Sequence, residues 1–153
     1  MLRYAALATG LFLAVASCSS TGTAPDQKIA DELWAQIQGF DAWGHFEGKE
    51  GIRRGDGSHG KFIQTQINDI AAADQDVLPP GSILVKSNYR RTGQAEPDSF
   101  VVMQRRTGYD PRHYDWFYAT YSPSGKIMQA GVTDSCVNCH RAAGDGDYVF
   151  YND

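Results

Sequence analysis

Near its C-terminal end the sequence carries Cys136, Cys139 and His140 in the order Cys-Val-Asn-Cys-His. Two cysteines three positions apart on a helical turn direct their sulfur atoms to the same side. This spacing lets both sulfurs add to the two vinyl groups along one edge of a haem, and the histidine that follows then lies beneath the ring with its imidazole directed at the iron. The pattern therefore predicts one covalently bound haem c, attached at both cysteines, with His140 as an iron ligand.

A Cys-x-x-Cys pair also occurs in thioredoxin-like redox sites and in structural zinc sites. A thioredoxin-like site opens a helix inside a βαβ unit, and no such unit follows Cys139. A structural zinc site needs four ligands, and the sequence has no second Cys/His pair at ligand spacing. Both alternatives are therefore weaker than haem attachment.

Residues 1–17 have the pattern of a secretory signal peptide, with Arg3 followed by a short apolar stretch. The apolar stretch is too short to span a bilayer comfortably. It ends in Val-Ala-Ser-Cys at Cys18, which resembles the lipobox of bacterial lipoproteins, where the cysteine is acylated. The alternative is an ordinary signal peptide cleaved nearby, which would leave Cys18 as a free thiol outside the cytoplasm, where thiols are oxidised.

The cysteine count agrees with a lipid anchor and a haem. The chain has three cysteines, whereas exported proteins usually hold an even number in disulfides. Lipid on Cys18 and haem on the other two leave no thiol over. We therefore expect a lipoprotein signal peptide at 1–17, a lipidated N-terminus and flexible tether at 18–28, and one haem domain of ordinary size at 29–153.

The charge pattern argues against a nucleic-acid partner. The formal net charge is −4, and neither a basic run nor a basic amphipathic helix is visible. Together with the signal peptide and the lipobox, this composition predicts a protein of the cell envelope of a Gram-negative bacterium, anchored by lipid and facing the periplasm. Ser19 after Cys18 favours the outer membrane, by analogy with enteric bacteria.

The elements that must position the haem motif are mostly strands. One helix is predicted from Asp26, taken as its N-cap, to about Gly39, with an apolar face of Ile29, Leu33, Trp34 and Ile37. A Gly-rich loop is expected over 48–60 and a short helical turn over 69–74. Strands are predicted at 61–68, 82–89, 100–104, 114–121 and 126–131. Sequential strands with short connections favour an antiparallel meander, so the expected class is α+β and sheet-dominated.

Six stretches of the sequence, in order, resemble the cytochrome P-460 family, which includes hydroxylamine-oxidising cytochromes and the gas-binding beta-type cytochromes c′. They are residues 58–61, 80–86, 108–111, 115–118, 136–140 and 147–150. The resemblance implies a predominantly antiparallel β-sheet with flanking helices packed on a c-type haem, usually in a homodimer. It also implies five-coordinate iron, held by histidine and open on the other face.

The resemblance singles out Lys86 and Gln104. In the enzymes of the family a lysine in the matching strand is cross-linked to the porphyrin edge, whereas the base rate for lysine alone favours an outward-facing Lys86. The hydroxylamine-oxidising members carry a distal carboxylate on the strand after the hairpin, where Gln104 is the best local match. Glutamine cannot act as a general base, although it can hydrogen-bond a ligand; Glu96 or Asp98 nearby is an alternative carboxylate, and a solvent-facing Gln104 is the other interpretation.

Two functions remain open from the sequence. The first is a haem protein that binds small ligands such as NO or CO, or oxidises small nitrogen compounds such as hydroxylamine, with Lys86 and Gln104 in its site. The second is a periplasmic electron-transfer cytochrome c with six-coordinate iron. Candidate sixth ligands are His45, His59, His113, Met103 and Met128, although strand methionines are more often core residues. The expected partners are a small-molecule ligand, an electron-transfer protein, the membrane through the lipid anchor, and a second copy of the chain.

Overall fold

The computed structural model describes residues 22–55 and 59–150. The signal peptide predicted at 1–17 and the lipid site predicted at Cys18 lie outside these residues. None of the helices in the described part of the chain combines the length and the apolar composition needed to cross a bilayer.

Six strands form one antiparallel sheet in which each strand pairs with the next along the chain. They are β1 (Arg53–Arg54), β2 (Phe62–Ile67), β3 (Ile83–Tyr89), β4 (Ser99–Arg105), β5 (Trp116–Tyr121) and β6 (Ile127–Ala130). The predicted meander and the α+β class are confirmed. The short strand β1 falls in a segment predicted to be a loop.

Helix α1 (Ala24–Gln36) begins one turn earlier than the sequence analysis placed it. Its N-cap is Thr23, whose hydroxyl accepts a hydrogen bond from the main-chain N–H of Asp26, while the Asp26 carboxylate accepts one from the N–H of Thr23. This reciprocal pair is a capping box, which satisfies two N–H groups that a helix end leaves without partners. The prediction of Asp26 as N-cap is therefore wrong, because Asp26 takes the third helical position of the box.

The two faces of the sheet pack against different parts of the chain, because successive side chains of a strand point in opposite directions. One face, the α1 face, packs on helix α1. Its buried cluster includes Ala30, Leu33 and Ile37 of the helix and Val85, Val102, Phe117, Ala119 and Tyr121 of the strands. Burial of this apolar surface stabilises the packing of α1 on the sheet.

The other face, the α3 face, packs on the C-terminal segment. Helix α2 (Asp69–Ala73) closes one end of this face, and helix α3 (Asp134–His140) covers the other end. The buried cluster here includes Leu84, Met103, Trp116 and Tyr118 of the strands with Val137, Tyr148 and Val149 of the C-terminal segment. The haem motif thus lies against the sheet on the side opposite α1.

Helix α1 packs on the β5–β6 turn, and this contact predicts that alanine at Gly125 lowers the free energy of unfolding more than alanine at Gly93 does. Gly125 has φ +81°, and a Cβ there would overlap the indole ring of Trp34 in α1, whereas Gly93 has φ +70° with nothing within 4 Å of such a Cβ. Both Gly→Ala changes put alanine in a left-handed conformation, which costs about 1–2 kcal/mol. Overpacking should add about 1–3 kcal/mol for Gly125→Ala alone.

Urea denaturation of the two variants and the parent measures this difference. Equal losses in the free energy of unfolding for Gly125→Ala and Gly93→Ala would show that Trp34 does not pack on the turn as described.

Candidate haem site

Helix α3 presents some side chains of the Cys-x-x-Cys-His motif to the sheet and others away from it. Val137 and His140 are buried against the α3 face, while Cys136 is half-buried and Cys139 is exposed. Residues three apart on a helix lie on one side, so the two free thiols share one side of α3 and the two buried side chains share another. The predicted attachment and ligand residues are therefore presented by a single helical turn.

The Cys136 thiol is held by polar neighbours that the sequence analysis did not identify. The Thr133 hydroxyl donates to Cys136 Sγ at 3.0 Å, and Gln129 Nε2 lies 3.9 Å from the same sulfur. Gln129 also donates to the Thr133 hydroxyl at 2.6 Å. Thr133 precedes α3 at the N-cap position, yet its hydroxyl makes no capping bond to the helix. A polar residue at an N-cap that binds a thiol instead of the helix indicates that the orientation of this sulfur is constrained.

His140 is buried and adopts one defined tautomer. Its Nδ1 lies 2.7 Å from the main-chain carbonyl oxygen of Tyr148. A carbonyl oxygen can only accept a hydrogen bond, so Nδ1 must carry a proton, and in the neutral ring Nε2 is then the nitrogen with the lone pair. Histidines that bind metals usually donate their other ring N–H in this way, which fixes the ring and increases its basicity. His140 therefore has the protonation state that an axial iron ligand requires.

A cavity opens beside His140 on the α3 face, and most of the side chains that line it are apolar, as is usual for small-molecule and cofactor sites. It adjoins a second cavity that contains Cys136 and Cys139, and both are bounded by His59, Val101 and His140. We call the two together the haem cleft. Its apolar lining consists of Phe46, Ile63, Leu84, Val101, Met103, Val149 and Phe150.

The charges that line the haem cleft are all positive. Lys49, Arg53 and Lys86 border the apolar part, which lies away from the cysteines, and no Asp or Glu is among the described residues that line either part. Haem has its vinyl groups on one side of the ring and its two anionic propionates on the other. The cleft offers thiols at one end and cations at the other, so the residues present fit a haem c.

Lys86 is half-buried in β3 and lines the cleft together with His140. It lies on the α3 face because it is two positions from Leu84, and residues two apart on a strand share a face. The base-rate interpretation of an outward-facing lysine is therefore wrong. In the register of the sheet Lys86 is opposite Val101 of β4, which also borders the cleft.

Gln104 lies on the other side of the sheet, so its predicted place in the distal site is wrong. Its side chain is buried on the α1 face, where Nε2 donates to Gln36 at 3.1 Å and Oε1 accepts from Arg106 at 2.7 Å. The physical reason is strand alternation: a shift of one residue changes the face. Ser99, Val101 and Met103 are the residues of β4 that line the cleft.

Of the three loop histidines, only His59 borders the haem cleft. The rings of His59 and His140 have their centroids 6.1 Å apart. His45 Nδ1 is 2.7 Å from the carbonyl oxygen of Thr65. His113 instead pairs with the Asp110 carboxylate at 2.5 Å.

Of the other candidate ligands and carboxylates predicted from the sequence, one lines the cleft and the rest lie outside it. Met103 is buried and lines the cleft, whereas Met128 is 47% exposed. Asp98 pairs with Arg90 at 3.3 Å near the β3–β4 hairpin, and neither Asp98 nor Glu96 lines the cleft. Across residues 22–55 and 59–150, no three His, Cys, Asp or Glu side chains are grouped closely enough to hold a metal ion on their own.

Tyr118 has a buried hydroxyl that makes no hydrogen bond among the described residues. Its ring packs against His140, with centroids 5.5 Å apart. Burial raises the pKa of the Tyr118 phenol well above its ordinary value, so the hydroxyl stays protonated and neutral. The side chain that packs against His140 from β5 is thus uncharged and aromatic.

Comparison with known proteins gives one family. The family model described as Cytochrome P460 matches residues 37–151, which include the strands of the sheet, the haem cleft and the Cys-x-x-Cys-His motif. This match confirms the resemblance identified in the sequence. No curated protein matches the chain closely enough to serve as a relative.

Removal of the hydroxyl should change the free energy of unfolding differently at two tyrosines of β5, because only one of the two hydroxyls has a hydrogen-bond partner among the described residues. Tyr121 Oη donates to the carbonyl of Ala30 at 2.7 Å, so Tyr121→Phe should lower the free energy of unfolding by about 1 kcal/mol. The hydroxyl of Tyr118 lacks such a partner among the described residues, so Tyr118→Phe should be neutral or slightly stabilising. Urea denaturation of the haem-free protein measures both, and a larger loss for Tyr118→Phe would contradict the described geometry.

Proposed function

This chain belongs to the cytochrome P460 family, and from that premise we propose that it holds one haem c covalently at Cys136 and Cys139, with His140 as axial ligand. Cytochromes of this family bind haem c, which makes the chain a haem-binding cytochrome. When bound, the haem supplies an iron that exchanges electrons and accepts small ligands. The residues of the chain attach it, orient it and control what reaches it.

The observation that carries the proposal is the hydrogen bond from Nδ1 of His140 to the Tyr148 carbonyl. It leaves Nε2 as the unprotonated nitrogen, in a buried ring on the same helical turn as two thiols. The neighbouring cysteines distinguish His140 from a histidine with only a packing role, which would not need two thiols at the spacing of the haem vinyl groups.

The cations of the cleft support one orientation of the haem. If its vinyl edge is bound to Cys136 and Cys139, its propionates point away from α3. Lys49 and Arg53 border the apolar part of the cleft and are suited to pair with these two carboxylates. Lys86 stands in the same part, so its amine can approach the porphyrin edge. We propose this proximity as the basis for a cross-link of the kind found in the enzymes of the family.

We favour binding of small ligands such as NO or CO over rapid oxidation of hydroxylamine. Oxidation removes protons from the substrate together with electrons, so a positioned base raises its rate. No carboxylate is among the described residues of the cleft, and Gln104 is on the far side of the sheet. With His140 bound to iron, His59 is the imidazole of the cleft left to accept a proton, so oxidation is expected to be slow.

A second function, electron transfer through six-coordinate iron, is favoured by His59. Two imidazoles that share one metal ion have ring centres roughly 6 Å apart, because each metal–nitrogen bond is about 2 Å long. The centroids of His59 and His140 are 6.1 Å apart. If His59 ligates the iron, the site is closed to small ligands and the protein acts as a periplasmic electron carrier.

Location and partners complete the proposal. We infer export through the signal peptide at 1–17, a lipid on Cys18 and a periplasmic orientation in the cell envelope, with the outer membrane favoured. These inferences rest on the N-terminal sequence pattern. A homodimer and a periplasmic electron-transfer partner are the expected protein contacts.

Covalent attachment predicts that haem stays with the polypeptide after denaturation. Denaturing electrophoresis with haem staining should show a stained band, and the double variant Cys136→Ser/Cys139→Ser should lose it because serine forms no thioether. Thr133→Val, which keeps both cysteines but removes the hydroxyl bonded to Cys136 Sγ, should lower the stained yield without abolishing it. Haem that extracts freely from the parent into acidified organic solvent would contradict the proposal.

Ligand binding predicts a clear carbon monoxide difference spectrum for the reduced protein and slow hydroxylamine turnover with an artificial electron acceptor. His59→Gln should reduce the turnover further, because glutamine accepts no proton. Gln104→Glu should leave turnover unchanged, since this carboxylate would lie on the α1 face.

Strong turnover by the unmodified protein would overturn the preference for ligand binding. Six-coordinate low-spin iron in both oxidation states, converted to high-spin iron by His59→Gln, would establish the electron-transfer alternative. Peptide mapping by mass spectrometry shows separately whether the Lys86 peptide is joined to the haem peptide.

Lipidation predicts that the native protein partitions into detergent and sediments with membranes. Cys18→Ser should release a soluble protein or leave the signal peptide uncleaved, because serine has no sulfur to form the thioether that holds the diacylglyceryl group. Cys139→Ser is the matched control: it removes another cysteine and should leave membrane association intact. If Cys18→Ser fractionates like the parent, Cys18 carries no lipid.

A further inference from the structure

We propose that Arg105, Trp116 and Asp147 form a clamp that positions His140. The clamp holds the main-chain segment whose Tyr148 carbonyl accepts the hydrogen bond from Nδ1 of His140. These are positioning residues, because they act on His140 through the backbone segment that they hold. The inference rests on the proposed function, since it takes His140 as the axial ligand of the haem iron.

Asp147 is bound both through its side chain and through its backbone. Its carboxylate pairs with Nη1 of Arg105 at 3.0 Å, and its main-chain carbonyl accepts the indole N–H of Trp116 at 2.7 Å. Both members of the ion pair are largely shielded from solvent, with side chains 18% and 13% exposed. The residue immediately before Tyr148 is thus fixed at two separate points.

The two partners of Asp147 belong to the rigid part of the molecule. Arg105 ends β4 and Trp116 begins β5, and the two are opposite each other in the register of the sheet. Arg105 also donates to the carbonyl of Leu78, and its guanidinium lies 6.0 Å from the ring centre of Tyr114. Trp116 is fully buried. The clamp therefore holds the C-terminal segment in a fixed position relative to the sheet.

The backbone at this point needs such support. Asp147 and Tyr148 have φ values of +55° and +64°, a left-handed conformation that is unfavourable for residues with a side chain and rare for bulky ones. Two consecutive residues of this kind persist only where surrounding contacts hold them. Without the ion pair and the indole bond, we expect the segment to relax and the Tyr148 carbonyl to move away from Nδ1.

Movement of this carbonyl would change the iron ligand itself. Hydrogen bonding from the outer ring nitrogen makes a metal-bound imidazole a stronger electron donor. A weaker bond should lower the iron–histidine stretching frequency of the reduced protein and raise its reduction potential. The clamp thus adjusts the strength of the iron–histidine bond from a distance.

The test uses haem-loaded protein with two clamp variants and two matched controls. Trp116→Phe removes the indole N–H but keeps an aromatic ring, and Asp147→Asn removes the charge but keeps the shape. Trp34→Phe makes the same change on the α1 face, and Asp98→Asn makes it in the Arg90–Asp98 pair near the β3–β4 hairpin. Resonance Raman spectra of the reduced protein give the iron–histidine frequency, and redox titration gives the potential. Both report only molecules that carry haem, so incomplete loading does not obscure the result.

Both clamp variants should shift the frequency down and the potential up, and both controls should leave them unchanged. Arg105→Lys, which keeps the charge, should shift them less than Arg105→Ala. Unchanged values in Trp116→Phe and Asp147→Asn, or equal shifts in the controls, would overturn the clamp while leaving the proposed function intact. If the reduced iron of the unmodified loaded protein is five-coordinate and high-spin, absence of an iron–histidine band would overturn the proposed function and the clamp with it; if the iron is six-coordinate, the reduction potential alone decides whether the clamp holds.

Discussion

The hydrogen bond from Nδ1 of His140 to the carbonyl of Tyr148 decides which ring nitrogen keeps its lone pair. The two groups are only eight residues apart, yet bringing them together requires the chain to leave α3 and reverse through two left-handed residues, Asp147 and Tyr148. Such a reversal is held by contacts to the sheet, because its own backbone preferences oppose it. The geometry of the proposed iron site therefore depends on the end of β4 and the start of β5 as much as on the motif.

Successive side chains of each strand point to opposite faces of the sheet, so one face forms a packed core with α1 and the other borders the haem cleft. Side chains on the α1 face, such as Val85, Val102 and Tyr121, pack on α1 and form an ordinary apolar core. Their neighbours on the α3 face, such as Lys86 and Val101, border the haem cleft. Charged and polar residues are accepted there because a haem with two propionates can pair with them, whereas an unpaired charge in the other core would be costly. One sheet thus provides a packed core on its α1 face and a binding surface on its α3 face.

Local patterns in the sequence predicted much of this arrangement. The motif, the strands and the antiparallel order follow from spacing and alternation, which act over a few residues. The face of Gln104 was predicted wrongly because a shift of one residue exchanges the two faces. The contacts of Asp147 carried no sequence signal, because Arg105 and Trp116 are 42 and 31 residues away in the chain. Residue type alone does not reveal a pair that forms only when the sheet has folded.

The central claim is that His140 binds iron through Nε2 while Nδ1 donates to a carbonyl. Proton NMR of the oxidised haem-loaded protein, whose ferric iron is paramagnetic, tests it most directly when the protein is labelled with ¹⁵N-histidine. The account predicts one ring N–H resonance shifted far outside the diamagnetic range, bonded to ¹⁵N, slow to exchange with D₂O because His140 is buried, and absent from His140→Gln. A loaded protein in which this shifted resonance survives His140→Gln, or in which the His140 ring N–H stays in the diamagnetic range of ring N–H protons, would contradict it.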